Sequence, residues 1–334
     1  MTENRAKIEF MFEEEKYFPE CHASSLICTD NGDILAVYFA GKHEKADDVG
    51  IYLSKKTEKG WDEPYLLAKV NDEPHWNPVI YEFPGGIRVN FKVGKEIPDW
   101  TTWYTESFDG GRTWSSPLPC NAPVGPVRSK PVFLTNGTLI APNSVETAND
   151  WRPRVDISHD NGRTFADITP ISVNTADETD ENFLSGKGAI QPTLWESENG
   201  HVHALLRTTA GFIFRADSED YGKTFLSAYN TRIPNNNSGI DIVKAEGALY
   251  LVLNPVSGNW AARTPLSVYK STDNGKTFEE FCVLADEKLD PKRDKGAEFS
   301  YPAVIYKNGC LHISFTWMRR CIAYAKIDLN NKWL

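Results

Sequence analysis

The chain alternates short apolar runs with polar turns and keeps a strand-like rhythm along its length. Six times, two runs rich in Val, Ile, Leu, Phe and Tyr flank a turn built on glycine: LICTDNGDILAVYF, VIYEFPGGIRVNF, PVFLTNGTLIAP, PTLWESENGHVHALL, IDIVKAEGALYLVL and PAVIYKNGCLHISF. Each reads as a β-hairpin, because β-branched and aromatic residues favour strands and glycine accepts the turn. The turn glycines are Gly32, Gly86, Gly137, Gly200, Gly247 and Gly309. They recur at roughly 55-residue intervals, close to the period of propeller blades. No long stretch of 3.6-residue periodicity competes with them.

A second repeat runs in step with the first. SFDGGRTW (107–114), SHDNGRTF (158–165), SEDYGKTF (218–225) and STDNGKTF (271–278) begin 51, 60 and 53 residues apart. In the first copy, Asp109 can accept hydrogen bonds from its own turn, Gly111 supplies a positive φ and Trp114 can pack beneath a sheet. A worn copy, SKKTEKGW, stands at 54–61, and the sixth unit has none. A catalytic group is needed once, whereas a turn is needed in every unit, so the repeated aspartates are expected to be structural. One carboxylate per turn is also too few for calcium, which takes 6–8 oxygens.

Each unit therefore reads as hairpin, polar excursion, third strand, Asp phrase and fourth strand. The expected fold is all-β: a single six-bladed β-propeller over 1–334, with Asp-box turns and blades at about 20–68, 75–120, 126–170, 188–230, 237–284 and 297–334. KIEFMFEE (7–14) is expected to complete the last blade beside IAYAKID (322–328).

Composition narrows the function classes. A formal charge of −10 argues against a nucleic-acid partner, which a concentrated basic surface would favour. The six cysteines form neither a CxxC pair nor a zinc-like cluster, so no metal and no cofactor is expected. No apolar run approaches the roughly 20 residues of a membrane span, and the start, MTENRAKIEFMFEEEK, lacks a signal-peptide core. A cytoplasmic location is the expectation.

If the strands of each blade run up and down, the hairpin turns and Asp phrases lie at one end. First-strand starts, second-strand ends and the excursions lie at the other. That second end collects His22, Asn77, Lys130, Gln191, Asn235, Asn236, Asn237, Asp241, Glu298 and Tyr301 from first strands. Second-strand ends add Asp47, Asp48, Lys92, Glu146, Arg207, Asn254, Arg263 and Arg319. Trp76, Trp100, Trp103, Trp195, Trp260 and Trp317 are candidates for stacking on sugar rings.

With its four Asp boxes, the chain resembles the sialidase (neuraminidase) superfamily of six-bladed propellers over nearly its whole length. GPVRSKPV, QPTLWES, NNNSGID and EFSYPAVI resemble a branch of that superfamily in which His replaces the first arginine of the substrate triad. The resemblance implies three arginines on a substrate carboxylate, an Asp as proton donor and a Tyr nucleophile activated by a Glu. Arg207, in HALLRTTAGFIFRADSEDYGKTF, looks like the second arginine, and Arg263, in NPVSGNWAARTPLSVYKSTDNGKTF, like the third. His22, in CHASSL, stands where the first would be. Asp47 or Asp48, in GKHEKADDVGIYLSKK, resembles the acid. Gln191 takes the place of the activating Glu, and Phe299 that of the Tyr. Tyr301 lies two residues on, which strand alternation puts on the same face as Phe299, and Glu298 is adjacent in sequence.

Three functions are consistent with these residues. The first is an exo-acting, sialidase-like glycoside hydrolase on an acidic oligosaccharide or glycoconjugate bearing sialic or uronic acid. In it Arg207 and Arg263 hold the carboxylate, helped by Lys130, Gln191, Asn77, Asn237, Asp241 and Arg319. His22, Asp47, Asp48, Glu298 and Tyr301 supply the chemistry. The second is a uronate-specific hydrolase or lyase that uses His22 as acid or base. A non-catalytic propeller that binds a glycan or a protein is the third.

Overall fold

A computed structural model describes residues 6–120, 122–293 and 295–330. Its described residues form six antiparallel sheets arranged as a six-bladed β-propeller. The first five blades begin with strands Glu20–Cys28, His75–Phe83, Val132–Phe133, Ala189–Glu196 and Asp241–Ala245, and each continues outward in chain order. The sixth holds Phe299–Lys307, Cys310–Trp317 and Cys321–Asp328. Its outer strand is Lys7–Phe10, paired antiparallel with Cys321–Asp328 so that Lys7 faces Lys326 and Phe10 faces Ala323. First strands of neighbouring blades pack beside one another round the axis. Apolar clusters fill the spaces between blades; one joins Leu35, Val37 and Phe39 of blade one to Ile80, Val89 and Phe91 of blade two.

The Asp boxes are turns that also serve as seams. Asp109 Oδ1 accepts the backbone N–H groups of Arg112 and Thr113 at 3.0 and 2.9 Å, and its Oδ2 accepts the Thr113 hydroxyl at 2.6 Å. Ser107 Oγ donates to Asp109 Oδ1 and accepts from Gly111 N, both at 2.8 Å. The same bonds recur around Asp160, Asp220 and Asp273. The box glycine lies against the preceding blade. A Cβ on Gly111 would stand 2.5 Å from Leu35 Cδ1, and one on Gly222 would stand 2.4 Å from Ile140 Cδ1. Both have φ near +80°, so glycine is required twice over, by conformation and by contact.

At the other end, the entry to every first strand contains one non-glycine residue in the left-handed region. These are Ala23, Asn77, Arg128, Gln191, Asn237 and Tyr301, with φ of 55°, 44°, 71°, 50°, 57° and 53°. In blades one, two, four and six the ladder slips at this residue, as a β-bulge does. A left-handed residue breaks the alternation of side chains and turns one group per blade toward the axis.

Below this ring the axis is closed by an ion pair. Lys130 Nζ donates to Asp241 Oδ1 and Oδ2 at 2.9 and 2.8 Å and to Ile242 O at 2.9 Å. Asp241, 1% exposed, also accepts Thr193 Oγ1 and Val304 N, each at 2.8 Å. It thereby ties blades three, four, five and six together.

Two outcomes are expected. Asp241→Ala strands the Lys130 ammonium and should cost about 3–5 kcal/mol in urea unfolding; a loss below 1 kcal/mol contradicts the role. The hydrogen bonds from Thr113 and Thr277 hold the carboxyl groups of Asp109 and Asp273 well below the ordinary range. Against an unfolded value of about 3.9, their stabilisation is complete above about pH 5 and is lost as the pH falls below 4. Unfolding measured from pH 6 to 3 should show that loss, with a shallower slope in Asp273→Asn.

Candidate functional site

Three of the left-handed residues, Asn77, Gln191 and Tyr301, line the floor of a cavity of about 760 Å³ on the propeller's excursion face. Arg207 rises into it from Val202–Thr208, the second strand of blade four, with 2% of its surface exposed. Its Nε donates to Asn237 Oδ1 at 2.8 Å, and its Nη1 donates to Gln191 Oε1 and Tyr301 Oη, both at 2.9 Å. All three partners are neutral side chains.

The other two arginines share a carboxylate. Arg263 Nη1 donates to Glu298 Oε1 at 2.7 Å, and Arg319 Nε reaches Glu298 Oε1 and Oε2 at 3.0 and 3.1 Å. Arg319 also pairs with Glu44. Burial pushes the Glu298 carboxyl up, but the Arg263 and Arg319 charges outweigh it and hold it at about 2.

Tyr301 occupies the middle. Its ring centroid is 5.1 Å from the Arg128 guanidinium carbon, 5.4 Å from that of Arg263 and 5.6 Å from that of Arg207. The His22 ring lies 4.2 Å away, centroid to centroid. Burial lowers the His22 pKa well below its usual value, and the charges of Arg319, Arg263, Arg128 and Arg207 lower it further. The imidazole is therefore neutral at pH 7. Its Nδ1 meets Thr316 Oγ1 at 2.8 Å, while its Nε2 is buried without a partner.

Aromatic walls enclose the floor. Trp76 and Trp100 pack together at 5.3 Å on one side. Trp151 and Trp260 form the other, with the Arg207 guanidinium carbon 6.0 and 5.7 Å from their ring centroids. Trp260 is 62% exposed, an open apolar plate at the rim. Among the described residues, no group of His, Cys, Asp and Glu has the arrangement of a metal site.

The structure thus brings together His22, Asn77, Gln191, Arg207, Arg263, Tyr301 and Arg319 around one cavity. It separates several other expected residues from that surface. Asp47 and Asp48 line a different, outer depression with Lys42 and Lys69. The excursion folds back on itself through Ala46 N to His43 O and Val49 N to Ala46 O, and Asp48 accepts Lys42 N at 3.2 Å. Asp47 meets Lys95 at 3.4 Å. Glu44 is the acid of this excursion that reaches the cavity. Lys130 and Asp241 are consumed by each other below the floor. Asn237 faces Arg207, and Glu298 braces two arginines, so both orient cavity residues. The alternation argument for Phe299 and Tyr301 also fails. Phe299 is fully buried against Trp317, 4.6 Å between centroids, and the left-handed Tyr301 turns to the cavity instead.

Among the proposed sugar platforms, Trp76, Trp100 and Trp260 line the cavity, while Trp195 stacks on His203 at 4.9 Å and Trp317 joins the core. Arg128, Trp151 and Glu44 were missed. Arg128 stands two residues before Lys130 in GPVRSKPV, and only its positive φ selects it over the lysine.

Comparison with known proteins now adds a lineage. Residues 32–313 match the BNR repeat-like domain. The chain belongs to the BNR repeat-like family. Sequence comparison with curated proteins finds no match. In three dimensions, this BNR repeat-like protein is similar to the Hadza microbial sialidase Hz136, with a TM-score of 0.74 and 15% identity over 96% of this chain and 68% of that one. A protein of unknown function from Dyadobacter fermentans aligns at 0.73 and 15% identity, over 97% and 99% of the two chains. Trypanosoma rangeli sialidase in complex with sialic acid aligns at 0.72 and 13%, over 98% of this chain and 59% of that one. The fold is that of the sialidase-like BNR superfamily. At these identities the likeness carries the fold and leaves the chemistry to the residues.

The arginine arrangement makes a stability prediction. Glu298→Ala leaves two guanidinium groups facing each other without their shared carboxylate and is expected to cost about 3–5 kcal/mol in urea unfolding. An unchanged midpoint would show that the pair is solvated.

Proposed function

We propose that this BNR repeat-like protein is a glycosidase that removes an acidic sugar, sialic or uronic, from the end of a glycan. Arg207 supports the reading most directly. A buried guanidinium is costly to desolvate without a counter-charge, and its three side-chain partners are all neutral. A ligand carboxylate in the cavity would supply the missing charge. Planar guanidinium groups pair with carboxylates through two parallel hydrogen bonds, and Arg263 and Arg319 stand at the same cavity to share the load. Trp151 and Trp260 offer flat apolar faces to a sugar ring.

Tyr301 then meets the glycosidic carbon. Arg207 donates to its oxygen, and neighbouring guanidinium groups face its ring, an environment that favours the charge a nucleophilic oxygen gathers. Gln191 cannot ionise, which leaves neutral His22, its ring 4.2 Å from that of Tyr301, as the neighbouring group to take the Tyr301 proton. The T. rangeli protein in complex with sialic acid makes sialic acid the first substrate to try.

The same imidazole supports a second reading, in which a uronate is cleaved by elimination. His22 would take the proton beside the uronate carboxylate, the C–O bond would break and a double bond would form, with the proton delivered to the leaving oxygen.

Fluorogenic sialosides and uronides, together with free sialic and glucuronic acid, test both. Free sugar should raise the melting temperature of the wild type and leave that of Arg207→Ala unmoved. Arg207→Ala should lower kcat/KM at least about 100-fold, or about 2.7 kcal/mol. An unsaturated product lost in His22→Ala selects elimination. Stabilisation by sugar without turnover of any substrate makes the protein a binding propeller.

A further inference from the structure

The carboxyl groups of the cavity differ in what surrounds them. Glu44 and Glu298 are bound to guanidinium groups. Glu96 is exposed, 3.6 Å from Lys45. Glu146 has another setting. It ends Leu139–Glu146, the second strand of blade three, opposite Trp151 in the ladder, and is 8% exposed while still lining the cavity. Its Oε1 accepts the Ser144 hydroxyl at 2.9 Å. Gln191, whose Oε1 is taken by Arg207 at 2.9 Å, stands as its second hydrogen-bonding neighbour. A continuous line of contacts therefore runs from Glu146 through Gln191 and Arg207 to Tyr301.

We propose that Glu146 is the catalytic proton donor of this site, serving the oxygen that leaves when an acidic glycoside is cleaved. The assignment rests on the glycosidase reading and fills the role expected of Asp47 or Asp48, which line the outer depression instead. In the first step the Tyr301 oxygen bonds to the glycosidic carbon as the C–O bond to the aglycone breaks. The departing oxygen keeps the bond's electron pair and takes the Glu146 proton, while the Tyr301 proton moves to His22. In the second step water attacks the same carbon and gives its proton to the Glu146 carboxylate. The bond to Tyr301 breaks, and the phenol recovers its proton from His22. The sum is one glycosidic bond and one water consumed, and two hydroxyl groups formed.

The surroundings favour the protonated form more than water does. Burial raises the Glu146 pKa, and the opposing pull of Ser144, Arg207, Gln191 and Lys92 does not cancel it. Arg207 reaches it from blade four and Lys92 from blade two; Lys92 itself is brought down to about 8 by burial and spends a hydrogen bond of 2.6 Å on Thr102. A donor with a raised pKa is active below that pKa, so the rate should fall as the pH rises through it.

The test compares leaving groups. Glu146→Gln should lower kcat/KM, which reports the step that expels the aglycone, by about 10²–10⁴-fold on methyl glycosides of sialic or glucuronic acid, whose leaving oxygen needs a proton. On the matching 4-methylumbelliferyl glycosides, whose leaving phenol needs little help, the loss in kcat/KM should be under about 10-fold. The alkaline limb of the pH profile should vanish, and the Kd for free sugar should stay within about twofold of the wild type. Glu146→Asp should slow the enzyme but retain the limb, and it carries the test if the Gln variant does not fold. Equal losses on both leaving groups, or an unchanged alkaline limb, overturn this assignment alone. A wild type that cleaves none of these glycosides overturns the glycosidase reading and this assignment with it.

Discussion

Everything at the cavity depends on a backbone constraint repeated around the axis: one residue in the entry to each first strand is held with positive φ. For a side chain other than glycine this costs on the order of 1 kcal/mol per position. An isolated hairpin would relax it away. The closed ring does not, because the residues on either side are fixed by neighbouring blades and, on the axis, by the Lys130–Asp241 pair. Strain here is the means by which a barrel of strands whose side chains would otherwise alternate between two blade interfaces presents six groups to a common centre. Four of the six are polar amides or cations, one is the tyrosine, and the last, Ala23, leaves room for the imidazole beside it.

The charge pattern follows from that geometry. Glu298 satisfies Arg263 and Arg319 before any ligand arrives, so these two contribute a braced, nearly neutral wall. Arg207 and Arg128 have no such partner; Arg128 donates to Pro302 O and lies over the tyrosine ring, and its Nε is buried without an acceptor. Positive charge is thus concentrated beneath Tyr301 on a protein whose formal charge is −10. An attractive centre inside a generally repulsive surface is the charge balance that the proposed acidic sugar on a neutral glycan would require.

The fold was readable because each of its instructions is written several times. A turn glycine, a strand pair and an Asp box recur at nearly constant spacing, and random variation in one copy leaves the others intact. Arg207 was legible for a related reason: it ends a second strand just ahead of a box, a position the repeat defines. The reach of Asp47 and Asp48 was not legible, since it depends on how a short excursion folds back on itself, and no period governs that. Arg128 was hidden by its neighbour. It stands two residues before Lys130, so alternation puts both on one face, and only the left-handed turn at Arg128 parts them. Tyr301 lines the cavity, but by a left-handed turn and not by the alternation that would have put it on one face with Phe299.

The pairing of Lys7–Phe10 with Cys321–Asp328 also sets the order in which the molecule can be made. Lys7–Phe10 must wait, with its hydrogen-bonding groups in water, until Cys321–Asp328 has been made. The loop joining these partners spans all six blades, yet closure entropy grows only with the logarithm of its length, so the delay weighs on assembly time far more than on final stability. Until that clasp closes, the sixth sheet has a bare outer edge that is open to mispairing.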